Sequence, residues 1–465
     1  MNQEQRLLSR RQFLQTAAAS SAIGLPGGPA AKGAQTSGYD LLLKGGHVID
    51  PANHIDDAMD VAVAGDKIAA VKPGIPPEGV RKVVDASGLY VTPGLIDIHA
   101  HVGHGGAPLD WFSPQARAHQ PPLGIDPDLV FTSGVTTIVD AGSHGAETFL
   151  REKEEAIDHS QVRVLAWLNI VSNGMQGGLE QFLGEMDPER CAKTIEQYPD
   201  LIVGIKTAHY GGGTDRTGTT RPLWAAVDRA LKAGELTKKP IMVDFSPRPG
   251  RPYEDLILRK LRPGDIHTHV FAQQFPIIVP PTVGGKLNPA MEEARKRGVI
   301  FDIGHGSASF WFRNAAPAIQ QGFQPDSIST DIHRGNLHQH VISLVNVMSK
   351  CLAMGETLNQ VIAQTTANPA REINRTELGT LSPGSVADIA VFRLQRGQFS
   401  YADCGYARIH GDQKLTAEMT IRAGAIVYDP SGRSMLDWEK APPQYFKPRG
   451  ARADAFPRRV GRAEE

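Results

Sequence analysis

The 465-residue chain is 41% hydrophobic and 21% charged with a formal net charge of -1, which offers no electrostatic footprint for nucleic acid or an anionic membrane surface. Its three cysteines, Cys191, Cys351 and Cys404, are far apart and form no C-x-x-C, which excludes a zinc ribbon or a disulfide scaffold. Any bound metal must then be held by nitrogen and oxygen, a small-molecule partner is expected, and the length allows a large core in more than one domain.

The chain opens with Ser9-Arg10-Arg11-Gln12-Phe13-Leu14, followed by a small-residue, mildly apolar stretch through Leu25. That pattern resembles a bacterial twin-arginine export signal; the plainer alternative is a basic disordered tail. Residues 1–34 are read as the signal, with cleavage near Ala30 to Ala34, which implies a periplasmic or extracellular protein. No later segment has the roughly 18 uninterrupted apolar residues of a membrane span, so no membrane partner is expected once the signal is removed.

Residues 39–91 read as short strands and tight turns: Asp40-Leu41-Leu42-Leu43-Lys44, the Gly45-Gly46 punctuation, His47-Val48-Ile49-Asp50, Asp60-Val61-Ala62-Val63 and Lys67-Ile68-Ala69-Ala70-Val71. A matching block at 384–437, with strands at 387–392 and 419–428, is expected to complete one composite β-sandwich domain. The Pro- and Arg-rich stretch at 438–465 is expected to be an irregular tail.

Between these blocks, residues 92–383 alternate strand and helix patterns, which argues for βα units and a parallel sheet. Strands are expected at 95–98, 136–140, 162–170, 201–206, 240–245, 265–271, 299–303 and 327–330, with helices at 224–233, 289–296 and 340–354 among the connections. Eight strands are what a closed (β/α)8 barrel requires, so the fold class is α/β, a TIM-like barrel flanked by a small β-sandwich.

Barrel enzymes place their chemistry at the C-terminal ends of the strands. The first strand ends in His99-Ala100-His101, and residues i and i+2 of a strand point to one side, so two imidazoles can aim at one point. The fourth ends in Lys206, costly to leave charged in a barrel mouth without a partner. The sixth ends in His267-Thr268-His269, of which one is expected to be a ligand. The seventh ends in Asp302-Ile303-Gly304-His305-Gly306, and the eighth in Ser329-Thr330-Asp331-Ile332-His333. A carboxylate after the last strand can bind a metal and act as a base.

Taken together, Pro93-Gly94-Leu95-Ile96-Asp97-Ile98-His99-Ala100-His101, Gly204-Ile205-Lys206, the run from Pro263 to Phe271, Phe301-Asp302-Ile303-Gly304-His305-Gly306 and Ile328-Ser329-Thr330-Asp331 resemble the amidohydrolase superfamily, in its dihydroorotase-like deacetylase branch. The resemblance spans essentially the whole mature length. It implies two divalent metals, usually zinc, bridged by a lysine carboxylated by carbon dioxide and by a hydroxide. His99, His101 and Asp331 would hold the first metal, N6-carboxylysine at Lys206 the bridge, and His269 the second metal. Asp331 would carry the proton to the departing nitrogen, and His305 would touch substrate or hold Asp331, or else be a satisfied structural histidine.

One position departs from that family pattern. The fifth strand reads Pro240-Ile241-Met242-Val243-Asp244-Phe245, with aspartate where the family offers a histidine ligand. Carboxylate oxygen also binds zinc, so Asp244 is entered as a metal ligand, although its reach is shorter. Pairing of Asp244 with Arg248 or Lys206 is the structural alternative. Three readings follow: a binuclear hydrolase of a small-molecule amide (an N-acyl substrate, with esters as a side class), a mononuclear hydrolase or deaminase without carboxylated lysine, and an exported binding protein on a decayed barrel. Gly211, Gly212 and Gly213 and the run Phe310-Trp311-Phe312 could shape the pocket, with core packing the preferred reading for the aromatic run. Substrate identity and assembly as a homo-oligomer stay open.

Overall fold

The computed structural model describes residues 38–103, 123–214 and 218–447. The expected signal at 1–34 and the tail beyond 447 lie outside the described residues.

Strands β1 (Leu41–Asp50), β2 (Ile55–Ala64), β3 (Lys67–Lys72), β4 (Lys82–Asp85) and β5 (Tyr90–Pro93) form one part of a small mixed sheet. Its order is completed from the other end of the chain by β17 (Ile389–Ala402), β18 (Arg408–Arg422) and β19 (Ala425–Tyr428), the join being the antiparallel pairing of β17 with β5. Alternating Leu41, Leu43, Val61, Val63, Ile389, Val391, Met419 and Ile421 supply its buried face. Asp60 pins the bulge in β1, accepting from Gly45 N at 2.7 Å and Ile75 N at 2.8 Å and pairing with Lys44 at 2.9 Å.

The barrel strands follow the expected order: β6 (Leu95–Ala100), β7 (Val135–Gly145), β8 (Arg163–Asn169) and β9 (Ile202–Thr207), then, after the short pair β10 (Gly213–Thr214) and β11 (Thr220–Arg221), β12 (Ile241–Val243) and β13 (Ile266–His267). A second short pair, β14 (Ile278–Val279) and β15 (Lys286–Leu287), precedes β16 (Ile300–Phe301). Seven strands, β6 to β9, β12, β13 and β16, form one all-parallel sheet in sequential order. The eighth expected strand makes no continuous ladder. It closes the circle through single parallel bridges, Asp302 with Ser327 and Ala100 with Ile332, because the chain leaves extended geometry at Asp331, whose φ is +48°.

Helices pack outside the sheet with local signals for their ends. Pro289–Lys296 starts with the Asn288 side chain accepting from Ala290 N and with proline in its first turn. Leu344–Met354 starts at Ser343 and stops at Gly355, φ +109°. Among the described residues, no helix is long and apolar enough to cross a membrane.

One element runs far beyond its expected bounds. The β17–β18 hairpin extends to its tip at 403–407, where the Asp403 carboxylate accepts from Phe312 N at 2.9 Å and the Cys404 amide donates to Phe310 O at 3.0 Å. Midway, Leu415 N donates to Ser349 Oγ on the helix Leu344–Met354. The hairpin of the small sheet is thereby fastened to the loop after β16.

Candidate metal centre

Four strand-end segments converge at one end of the barrel. His99 and His101 leave β6, Lys206 lies in the last turn of β9, His269 follows β13, and Asp331 follows the closing segment. The Asp331 carboxylate oxygen Oδ1 lies 3.2 Å from His101 Nε2 and 3.6 Å from His99 Nε2, and Lys206 Nζ lies 3.1 Å from His99 Nε2. Donor atoms of His99, His269 and Asp331 all fall within 4.8 Å of one another. The separations match the roughly 3.4 Å donor-to-donor edge of a tetrahedron around an ion with bonds of about 2.0–2.2 Å.

The imidazoles are held by their outer nitrogens. His99 Nδ1 lies 2.8 Å from Thr268 Oγ1, and that hydroxyl donates to Asp302 Oδ2 at 2.7 Å. The threonine has one proton and it is spent on Asp302, so the hydroxyl accepts from His99 and leaves the Nε2 lone pair facing inward. His269 Nδ1 faces the Gly304 carbonyl, which can only accept, so Nδ1 carries a proton and Nε2 is the nitrogen turned toward Asp244. His101 Nδ1 is tied to Ser143 Oγ at 2.8 Å. Partners of this kind fix the tautomer and ring orientation of metal-binding histidines. Gly304 is required here: at φ +45°, a Cβ would stand 2.3 Å from Thr268 Oγ1 and 2.9 Å from His99 Nδ1.

The electrostatics suit a cation. Burial and the neighbouring Lys206 charge push His99 down to about 3, keeping the ring neutral, and burial likewise lowers the Lys206 amine. Burial works to raise Asp331, but His99 and His101 outweigh it and hold the carboxyl well below its ordinary range. A set of imidazoles, a carboxylate and an amine is the donor chemistry of a divalent cation, and the residues fit one. Asp331, His269 and His209 all take positive φ at the cleft.

Asp244, at the end of β12, reaches the same cleft. Its Oδ2 lies 3.9 Å from His269 Nε2 and 3.5 Å from His209 Nε2. Burial opposes its charge, and His269, His209 and Lys206 more than compensate, lowering its pKa. The expected alternative partner Arg248 instead has its guanidinium against Gly211.

His305 is the member of the expected set that the structure does not bring to the group. The chain passes through left-handed Gly304 and Gly306 on either side of it and sends its ring away from the cleft. It is fully buried, stacked on Phe310 at 4.5 Å, with Nε2 2.7 Å from Lys350 Nζ and Nδ1 3.9 Å from Cys404 Sγ. The satisfied structural role is the one observed, and Phe310, with no exposed surface, and Phe312 are core rather than pocket wall. His267 and His269 part: His267 is buried edge-on against Phe275 at 4.7 Å, while His269 reaches the cleft.

Among the described residues, two further histidines line the cleft, His333, which ends the eighth strand run but carried no expected role, and His209. His333 is occupied at both nitrogens, Nε2 by Ser307 Oγ at 3.1 Å and Nδ1 by the Gly335 amide at 3.0 Å. His209 sits two residues past β9, with Nδ1 3.2 Å from both Glu180 carboxylate oxygens. The first lies two residues past Asp331 and repeats the i, i+2 spacing; nothing in the sequence marks the second.

The fold and the cleft define a metal-dependent hydrolase of the barrel type, and the comparisons with known proteins agree. Residues 311–427 match the amidohydrolase family model. A deacetylase of Agrobacterium fabrum is 32% identical over 342 residues, covering 72% of this chain and 79% of that protein. A deacetylase of Enterococcus faecalis is 30% identical over 84% of this chain and 99% of its own length. Among solved structures, an adenine deaminase superposes with a TM-score of 0.71 and a dihydroorotase with 0.69, each 27% identical over 84% of this chain. The chain belongs to the amidohydrolase family. It is a hydrolase acting on carbon–nitrogen bonds other than peptide bonds, in a family generally dependent on divalent metal.

Proposed function

We propose that this enzyme removes an acyl group from a small N-acylated molecule, using two zinc-class cations bridged by a carboxylated Lys206, with ester cleavage as a side activity. The observation that carries the reading is the convergence of Asp331 Oδ1 on His101 Nε2 and His99 Nε2, at 3.2 and 3.6 Å, beside the buried Lys206 amine. The deacetylase relatives support the acyl class.

His99, His101 and Asp331 would hold one cation and His269 and Asp244 the other, with Lys206 between them. The bound cations would supply an activated water at neutral pH and polarise the scissile carbonyl. Carboxylation turns Lys206 from a buried cation into an anionic oxygen ligand, which removes the cost of its burial. Asp331 has one oxygen facing the two imidazoles, and its carboxyl is held ionised, so it serves as the base that accepts the proton of the attacking water. The same carboxyl returns that proton to the leaving nitrogen, without which an amine departs poorly. We also propose that the protein works outside the cytoplasm, exported through the Arg10-Arg11 segment.

The test is a panel of N-acyl amino acids, cyclic amides, purine amines and esters offered to the zinc- or manganese-loaded protein, with metal content measured alongside. Preferred release of carboxylic acid from N-acyl substrates at two ions per chain is expected. Ammonia release at one ion per chain would replace this reading with the mononuclear deaminase, and binding without turnover with the decayed barrel. Reconstitution with and without bicarbonate separately tests Lys206, since carboxylation predicts weaker metal retention without it.

A further inference from the structure

The cleft has an apolar side. Leu123, Met175 and Ala208 are buried, pack on one another and, among the described residues, form a cluster separate from the two layers of the barrel core. All three line the same cavity as the donor set. Apolar side chains beside ionisable groups withhold water from them, which is unfavourable unless the site has an apolar group to receive.

Each member of this wall is fastened to a segment that carries a donor. Met175, from the loop after β8, donates its amide to Ser143 O at 3.1 Å, and the Oγ of the same serine lies 2.8 Å from His101 Nδ1. Gly174 permits that approach: at φ +74°, a Cβ there would stand 2.2 Å from Ser143 O. Leu123 O accepts at 2.8 Å from the amide of Arg334, three residues past Asp331. Ala208 lies two residues past Lys206 at the end of β9, and alternation keeps both on the cleft side.

In the ring of strands β8 is the third, β9 the fourth and the segment before Asp331 the eighth, so Met175 and Ala208 face Asp331 across the barrel. A departing nitrogen that takes its proton from Asp331 lies on the Asp331 side. The other substituent of the scissile carbonyl then points at the wall. The cavity encloses about 50 Å³, against roughly 300–1,000 Å³ for pockets that take a drug-sized ligand, which leaves room for few carbon atoms. We propose that Leu123, Met175 and Ala208 form the acyl subsite of this enzyme and restrict it to short straight-chain acyl groups, acetyl and propionyl, against longer or aromatic ones. The assignment rests on the acyl-removing reading above.

Two series on the zinc-loaded protein test it, with metal content and thermal melting confirming that each variant is folded and loaded. Acetate, propionate, butyrate and benzoate are titrated by calorimetry, because the released acid carries the acyl chain whatever the amine. N-acetyl, N-propionyl, N-butyryl and N-benzoyl forms of the amine that the substrate panel identifies are then compared by kcat/KM. Wild type is expected to lose roughly 10- to 200-fold in kcat/KM at the first methylene that no longer fits. Met175→Ala and Leu123→Ala are each expected to recover the butyryl substrate relative to acetyl by at least 10-fold, and Ala208→Val to sharpen the preference for acetyl. An acyl-length profile unmoved in both Met175→Ala and Leu123→Ala, while N-acyl substrates are still hydrolysed, would overturn the subsite and leave the acyl-removing reading standing. So would variants that change the choice of amine and not of acid, since the wall would then lie on the leaving-group side. Ammonia release with no N-acyl hydrolysis in the wild type would overturn the acyl-removing reading first.

Discussion

Thr330 donates its hydroxyl to Asp97 Oδ2 at 2.5 Å, and its amide donates to Asp97 Oδ1 at 3.0 Å, joining the first strand to the closing segment of the barrel. The next residue is Asp331, in a left-handed conformation with its amide bonded to His99 O. Burial raises Asp97 to about 7, with the Thr330 bonds opposing it, so this contact both closes the barrel and aims the proposed base.

Thr330→Val removes one partner of a buried carboxyl and keeps the side-chain shape. We expect a loss of about 1–3 kcal/mol in stability, because an unmade buried hydrogen bond costs its full desolvation. Denaturant melts check this, and a kcat reduced out of proportion to any change in KM would report misplacement of Asp331.

Asp331→Asn keeps the size of the side chain and abolishes its basicity. A melting temperature within a few degrees of wild type and a fall in hydrolysis of roughly 10²- to 10⁴-fold are expected. Near-normal turnover of whichever substrate the panel identifies would remove Asp331 from the proton-transfer role.

Gly204 in β9 lies under the ring of Trp167, whose indole donates to Ile98 O at 2.9 Å. A Cβ at 204 would stand 2.3 Å from the ring and 2.5 Å from Pro240 O. Neither a fully buried indole nor a backbone carbonyl can yield cheaply. Gly204→Ala is therefore expected to destabilise by about 1–3 kcal/mol or more through overpacking. Calorimetry on the variant would settle it, an unchanged melting temperature being the contrary result.

Glu356 follows the helix Leu344–Met354 and is 5% exposed; burial raises its carboxyl from the ordinary 4.5 to about 7. An acid whose folded pKa is raised binds its proton more tightly when folded. Stability from this group is full below pH 4.5 and is lost as pH rises toward 7, by up to about 3 kcal/mol. Glu356→Gln should flatten that decline, so the drop in melting temperature between pH 5 and pH 8 is expected to be smaller than in wild type.

The strand order of the barrel and the small sheet's use of both chain ends were legible because each strand announces itself by its own run of apolar residues and its own turn. His99 and His101 were legible for the same local reason, since alternation along one strand puts both on one face. The β17–β18 hairpin was underestimated because most of residues 393–414 are exposed or half-buried, so no apolar run marks them as strand; Leu415 is held instead by its amide bond to Ser349 on the helix Leu344–Met354, which no local pattern reveals. The sequence left His305 open between cleft and core because its direction depends on the left-handed turns at Gly304 and Gly306, not on strand alternation.

By itself the sequence determined the barrel, the strand-end donor set and the family, since these are written as short-range periodicity and motif. Only the tertiary structure decided which donors meet. His209 and Glu180 come from two different loops and have no spacing that links them, yet the parallel packing of β8 beside β9 sets them 3.2 Å apart. The same packing turns His209 toward Asp244, whose Oδ2 lies 3.5 Å from His209 Nε2, a pairing that no local pattern in the chain reveals.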